Sequence, residues 1–185
     1  QIYIRSFGEI NMTEDRCAGQ ILYKDFEDND ITSGGWSVAQ VTGADTWEIG
    51  SFSSNILLIS NFDGSNNNTC ESWFISPPLS FSDTTGARMS FDNDVNYSGD
   101  QLQLLVSADF SGAGNPNNAT WIDLTGIVNW DPDTGGWGFS STGDIAFLSL
   151  MPNGTNLDNI HVAFKYIGTN SDGSTWELDN ISING

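Results

Sequence analysis

Apolar residues along this chain alternate with polar ones, and nowhere do they recur at i, i+3, i+4 and i+7 through three helical turns. A period of two is the repeat of a β-strand, whose successive side chains point to opposite faces of a sheet. The clearest cases are 101–107, with Leu102, Leu104 and Val106 on one face, and 159–167, with Ile160, Val162, Phe164 and Tyr166 on one face. Both are expected to line a core. Further strands are predicted at 21–27, 36–41, 46–50, 55–61, 72–76, 87–93, 120–125, 144–150 and 175–183. Between them lie clusters of Gly, Asn, Asp, Ser and Pro, as at 63–68, 111–118 and 170–173, which is turn chemistry. About a dozen short strands punctuated in this way predict an all-β protein built as a β-sandwich of two antiparallel sheets.

The last strand breaks its own alternation. Trp176 and Leu178 stand at even positions, whereas the next apolar residues, Ile181 and Ile183, stand at odd ones. A regular strand cannot bury both sets on one face. An extra residue at Asp179 and Asn180, a β-bulge, restores the register and re-aims one of these polar side chains. A ligand residue could sit there.

At 185 residues the chain suits one sandwich domain. No apolar run approaches the ~20 residues of a membrane-spanning helix. The start at Gln1, without a basic-then-apolar leader, reads as a piece of a longer polypeptide, with 1–19 as the tail of a preceding domain plus linker and 20–185 as the module. The formal charge is -19, from 24 acidic and 5 basic residues. That field repels phosphate backbones and anionic lipid, which argues against nucleic-acid partners. Two cysteines, Cys17 and Cys70, lack metal-finger spacing, and one bridge or two free buried thiols are both open.

The blocks Lys24-Asp25-Phe26-Glu27, Gly35-Trp36, Ala44-Asp45-Thr46-Trp47, Ser72-Trp73-Phe74-Ile75-Ser76-Pro77 and Thr175-Trp176-Glu177-Leu178-Asp179-Asn180, in that order, resemble the choice-of-anchor J and cleaved-adhesin families. Leu102 to Gly112 and Ala163-Phe164-Lys165-Tyr166 resemble the same group, so the likeness covers most of 20–185. Ile2-Tyr3-Ile4-Arg5 through Arg16-Cys17 is similar to the end of a domain of unknown function that precedes such modules in secreted bacterial proteins. The resemblance implies a jelly-roll sandwich like that of MAM domains and carbohydrate-binding modules, an accessory unit outside the cell or on the outer surface of a Gram-negative bacterium. It also implies a structural calcium ion between the first and last strands, held by Glu27, Asp45 and Asp179.

Read from the residues alone, Asp25, Glu27, Asp28, Asn29 and Asp30 lead out of a strand, and the few basic residues cannot neutralise all the carboxylates. Unpaired buried charge is costly, so these groups face water or a cation. Calcium takes six to eight oxygens, and a solvated acidic turn also meets the requirement. No nucleophile elbow, phosphate loop, zinc-binding histidine pair or dinucleotide fingerprint is present. The single histidine, His161, alternates away from Ile160 and Val162 and is expected to face outward. A carboxylate pair suited to glycoside hydrolysis stays open, because separation in space decides that mechanism.

Seven tryptophans and four tyrosines invite a sugar-stacking reading, although Trp36, Trp47, Trp73, Trp121 and Trp176 fall in predicted strands and suit a core. Trp130 lies in the loop Asn129-Trp130-Asp131-Pro132-Asp133-Thr134-Gly135-Gly136, and loops on a rigid sandwich are where recognition sits. Trp130 is therefore the candidate sugar platform, with Asn129, Asp131 and Asp133 around it, and an ordinary exposed or loop-packing ring is the alternative. Trp137 is open between core and ligand, and Tyr97 is a second exposed candidate. The expected function is a non-catalytic glycan-binding or adhesive module whose partners are a polysaccharide and neighbouring domains of the same polypeptide. A structural spacer and a glycoside-acting enzyme are the alternatives.

Overall fold

The computed structural model describes residues 19–84 and 86–185, so the expectations for Cys17 and the 1–19 tail lie outside the described residues apart from Gly19. Among the described residues twelve strands are formed: β1 (Gln20–Lys24), β2 (Ser37–Thr42), β3 (Glu48–Ser51), β4 (Asn55–Ile59), β5 (Cys70–Ile75), β6 (Arg88–Asn96), β7 (Gln103–Ser107), β8 (Ile122–Asp123), β9 (Ser140–Ser141), β10 (Ile145–Ala146), β11 (His161–Gly168) and β12 (Thr175–Asn184). Every predicted strand is present, and β9 is an addition. Predicted 120–125 and 144–150 shrink to two-residue strands flanked by single 3-10 turns. The first strand stops at Lys24, because Phe26 and Asn29 adopt left-handed backbone at φ 61 and 55.

The strands form two antiparallel sheets. One has seven strands, in the order β10-β6-β12-β4-β3, with β1 also on β12 and β9 also on β6. The other runs β2-β5-β11-β7-β8. Between them, Leu57, Ile59, Phe91, Trp176 and Leu178 from the first sheet meet Phe74, Leu104, Val162, Phe164 and Tyr166 from the second. Phe91 meets Phe164 edge to face at 5.0 Å, and Trp36 stacks on Phe74 at 4.3 Å. Each such side chain contributes ~1.5–3 kcal/mol by leaving water.

The parity break resolves as a bulge. Asp179 pairs with Asp92 and Ser182 with Ser90, so two residues of β12 stand against one of β6, and Asn180 takes φ 51. Trp176, Leu178, Ile181 and Ile183 all reach the core in consequence. At the same point β12 exchanges its neighbour β4 for β1, as the pairs Leu178 with Leu57 and Ile181 with Lys24 show.

His161 corrects one expectation. It does alternate away from the main core, but that outer face of the five-stranded sheet carries a second apolar cluster of Trp73, Ile75, Leu105, Phe110 and Ala163. Phe110 packs edge-on against the imidazole at 5.2 Å, and His161 Nδ1 lies 2.9 Å from the Ser76 carbonyl. A long segment after β7 folds over the face and buries it.

Candidate functional site

The outer face of the seven-stranded sheet is polar and carries a cavity. Because Trp176 and Leu178 point inward, Thr175, Glu177 and Asp179 of β12 point outward, opposite Asn96, Asp94 and Asp92 of β6. Three cross-strand rungs therefore put four carboxylates side by side on one surface. Like charges opposed across an antiparallel pair repel, so this pattern costs stability rather than supplying it.

The middle rung lies at the floor of a cavity of about 430 Å³. One wall is the β3–β4 turn carrying Phe52, and the other is the segment before β9 carrying Trp137 and Phe139. Phe52 and Trp137 are 72% and 56% exposed, whereas Asp94 and Glu177 below them are only 1% and 4% exposed. The Gly138 amide donates to Asp94 Oδ2, and Asn96 Nδ2 donates to the Gly136 carbonyl at 3.4 Å, which fixes the second wall to β6. Asp94 Oδ1 and Glu177 Oε1 are buried with no hydrogen-bond partner. Burial, then the neighbouring Asp94 charge, pushes the Glu177 carboxyl up from 4.5 to about 7. Burial raises Asp94 as well, partly offset by the Gly138 amide.

A second cavity of about 350 Å³ adjoins the Thr175 rung, lined by Phe62, Tyr97, Ser98, Asp172 and Thr175. The Tyr97 and Trp137 rings, one from the lining of each cavity, meet edge to face at 6.4 Å, so the two cavities are neighbours along one groove-like stretch of this face. Its far side is anchored by Asn61, fully buried, whose Nδ2 donates to the carbonyls of Asn68 and Thr169, both at 2.8 Å. The Tyr166 hydroxyl donates to the Ser174 carbonyl and lies 3.0 Å from Asn61 Oδ1. Gly168 and Gly173 are required here, since a Cβ on either would run into the Asn61 side chain.

At the bulge, Asp179 is 8% exposed, and its carboxyl is pushed up to about 6 by burial and then by the charges of Asp92, Asp25 and Glu27. Among the described residues no salt bridge reaches Asp179, and Lys24 is committed to Asp28. Tyr23 donates to Asn180 Oδ1 and Asn180 donates to Asp92 Oδ2, both at 2.9 Å, while Glu27 Oε1 accepts from the Asn55 amide at 3.1 Å. The charge and oxygen chemistry at Asp179 suit a hard cation. Among the described residues, however, no three acidic, His or Cys side chains are spaced to hold a metal ion by themselves. Glu27 and Asp179 are brought together. Asp45 is not: it stands beside Cys70 and Tyr166, adding to the burial that pushes the Cys70 thiol up to about 11.

Of the six residues expected to bind ligand, Trp137 and Tyr97 line the groove. Trp130 is placed otherwise. Its ring packs on Trp176 at 5.3 Å and Phe91 at 5.6 Å, and its indole N–H donates to the Thr125 carbonyl at 3.0 Å. The loop lacks strand periodicity, but a polar loop can still return one large ring to the core. Asp131 accepts from Ser140 Oγ and the Asp133 amide, and its own amide donates to Asn93. Asn129 Nδ2 donates to the Ser141 carbonyl at 3.3 Å, so Asn129 and Asp131 hold the loop in shape; Asp133 is exposed at its tip with φ 47. Sequence reasoning missed Phe52, Phe139, Asp94 and Glu177. The available signal was an isolated apolar ring among Gly and Ser, as in Ser51-Phe52-Ser53-Ser54 and Gly138-Phe139-Ser140.

The family model for a domain of unknown function, DUF5017, matches residues 80–185. The chain belongs to this family. The matched part carries Asp94, Tyr97, Trp137, Glu177 and Asp179, whereas Phe52 and Glu27 precede it. No curated protein matches in sequence. Among solved structures, the chain is similar to the K3 cleaved adhesin domain of Lys-gingipain from Porphyromonas gingivalis W83, with a TM-score of 0.58 at 14% identity, over 90% of this chain and 99% of that one. The K1 cleaved adhesin domain of the same protein gives a TM-score of 0.55 at 18% identity, over 90% and 99% of the two chains. At these identities the likeness is one of fold, and it agrees with the sandwich read from the sequence. Among the described residues no helix is long and apolar enough to cross a membrane.

Proposed function

We propose that this member of the family is a non-catalytic glycan-binding module, carried outside the cell as an accessory unit of a larger surface or secreted protein. The observation that supports it is the groove: exposed Phe52, Trp137 and Phe139 rings stand around a floor of buried carboxylates whose free oxygens face no protein donor. Flat rings match the C–H faces of sugars, and carboxylates accept from their hydroxyls, so both halves of a carbohydrate's surface find partners. A volume of about 430 Å³ falls in the range of small-molecule sites, roughly 300–1,000 Å³. Screening the protein on a glycan array, followed by titration calorimetry of the best binder with Trp137→Ala, tests this reading. Binding lost in the variant at unchanged melting temperature supports it, and no binding across the array refutes it.

A structural calcium ion at the bulge belongs to the same proposal. Asp179 and Glu27 would supply charged oxygens there, with carbonyls and water completing the shell. An ion that binds only the folded state raises stability by ~2.7 kcal/mol at about a hundredfold excess over Kd. Calcium should therefore raise the melting temperature, chelation should reverse it, and Asp179→Asn should blunt the response. An unchanged melting curve with calcium and chelator would remove the ion from the account.

A further inference from the structure

Resting on the glycan-binding reading, we infer that the cavity between Phe52 and Trp137 selects sugars bearing a free primary amine, with the ammonium seated on the Asp94–Glu177 pair. Three observations meet here. Asp94 and Glu177 are opposed directly across β6 and β12, 1% and 4% exposed. Among the described residues Asp94 Oδ1 and Glu177 Oε1, one from each residue, are buried without a donor at the base of this cavity, so two acceptors that no protein group satisfies lie directly beneath its floor. Among the described residues the rest of the lining consists of Phe52, Ser53, Ser54, Ile56, Trp137, Gly138 and Phe139, with no Lys, Arg or His to compensate the pair.

Neutral sugar hydroxyls would satisfy the two oxygens but would leave the charge of the pair uncompensated in a site walled by aromatic rings. An ammonium group brings three donors and a positive charge together, and the desolvated surroundings strengthen that attraction. The Phe52 and Trp137 rings favour the cation further, because the negative face of an aromatic ring attracts it. N-acetylation removes the charge and two donors and adds bulk at the floor, so an acetylated sugar is rejected where the amine is accepted. A bare alkylammonium would leave the flat walls uncovered, whereas an aminohexose covers floor and walls at once.

The test is titration calorimetry of the full chain with three trisaccharides of the same linkage: glucosamine, N-acetylglucosamine and glucose. Binding of the glucosamine trimer at least tenfold tighter than the other two, with the preference erased in Glu177→Gln, supports the inference. The acetylated ligand serves as a control that needs no variant, should Glu177→Gln fail to fold. Equal or tighter binding of the glucose trimer overturns the amine preference and leaves the glycan reading standing. Binding of a lysine amide that is lost in Trp137→Ala, with none of the three trisaccharides bound, overturns both.

Discussion

Trp130 and Trp137 share one loop, yet the structure gives them opposite work, and replacing each with alanine separates the two. Trp130 is half-buried, with its ring against Phe91 and Trp176 and its N–H on Thr125. A fully buried Trp→Ala change costs ~3–5 kcal/mol. Scaled to a half-buried ring, and including a lost hydrogen bond of about 1 kcal/mol, Trp130→Ala should cost about 2.5–3.5 kcal/mol. A domain of this size loses ~2–4 °C per kcal/mol, which predicts a melting temperature lower by roughly 5–14 °C. Affinity per folded molecule should be unchanged, since Trp130 lines neither cavity. Trp137, 56% exposed, touches Tyr97 and the cavity. Its removal should shift stability by no more than about 0.5 kcal/mol. Glycan affinity should fall about tenfold or more, as for an aromatic anchor. Circular dichroism melts and titration calorimetry on the two variants give all four numbers. If Trp130→Ala melts like the wild type but loses binding, the assignment of floor, wall and core is wrong.

Glu177→Gln should stabilise the protein above neutral pH. The folded state holds the Glu177 proton more tightly than the unfolded chain, at about 7 against 4.5, so this group favours folding below pH 4.5 and that contribution is lost as pH rises through 7. Full desolvation would make the effect ~3 kcal/mol, and water entering the open cavity reduces it to about 1–2 kcal/mol. Urea melts with chelator present should show the gain at pH 8 and none at pH 4; a gain that does not vary with pH would assign it to packing. Asn61→Ala should cost ~2–4 kcal/mol, because it strands the partly buried Asn68 and Thr169 carbonyls, and a melting temperature within 2–3 °C of wild type would contradict that network.

Alternation in the sequence was enough to find the strands, since Ile160, Val162, Phe164 and Tyr166 can all be buried on only one face. The bulge was equally legible, because Trp176, Leu178, Ile181 and Ile183 cannot share a face without it. The groove was not. Asp179 stood out at the bulge, but nothing in the sequence sets Asp94 and Glu177 apart from other polar residues, and only strand order brings β6 against β12. His161 and Trp130 escaped for a related reason: loops that cover a sheet face, or return a ring to it, leave no period in the sequence.

The Asn61 hub has a consequence for the energetics of recognition. It ties the turn after β4 to the connection between β11 and β12, and Phe62 and Asp172 on those segments line the second cavity. A wall cross-linked by a buried amide has already surrendered its conformational freedom during folding. Little further ordering is then required when an oligosaccharide settles against it, and the entropy that flexible loops forfeit on association is spared. On the glycan-binding reading, the end of the groove near Phe62 is thus a preorganised wall, ready before any sugar arrives rather than shaped by it.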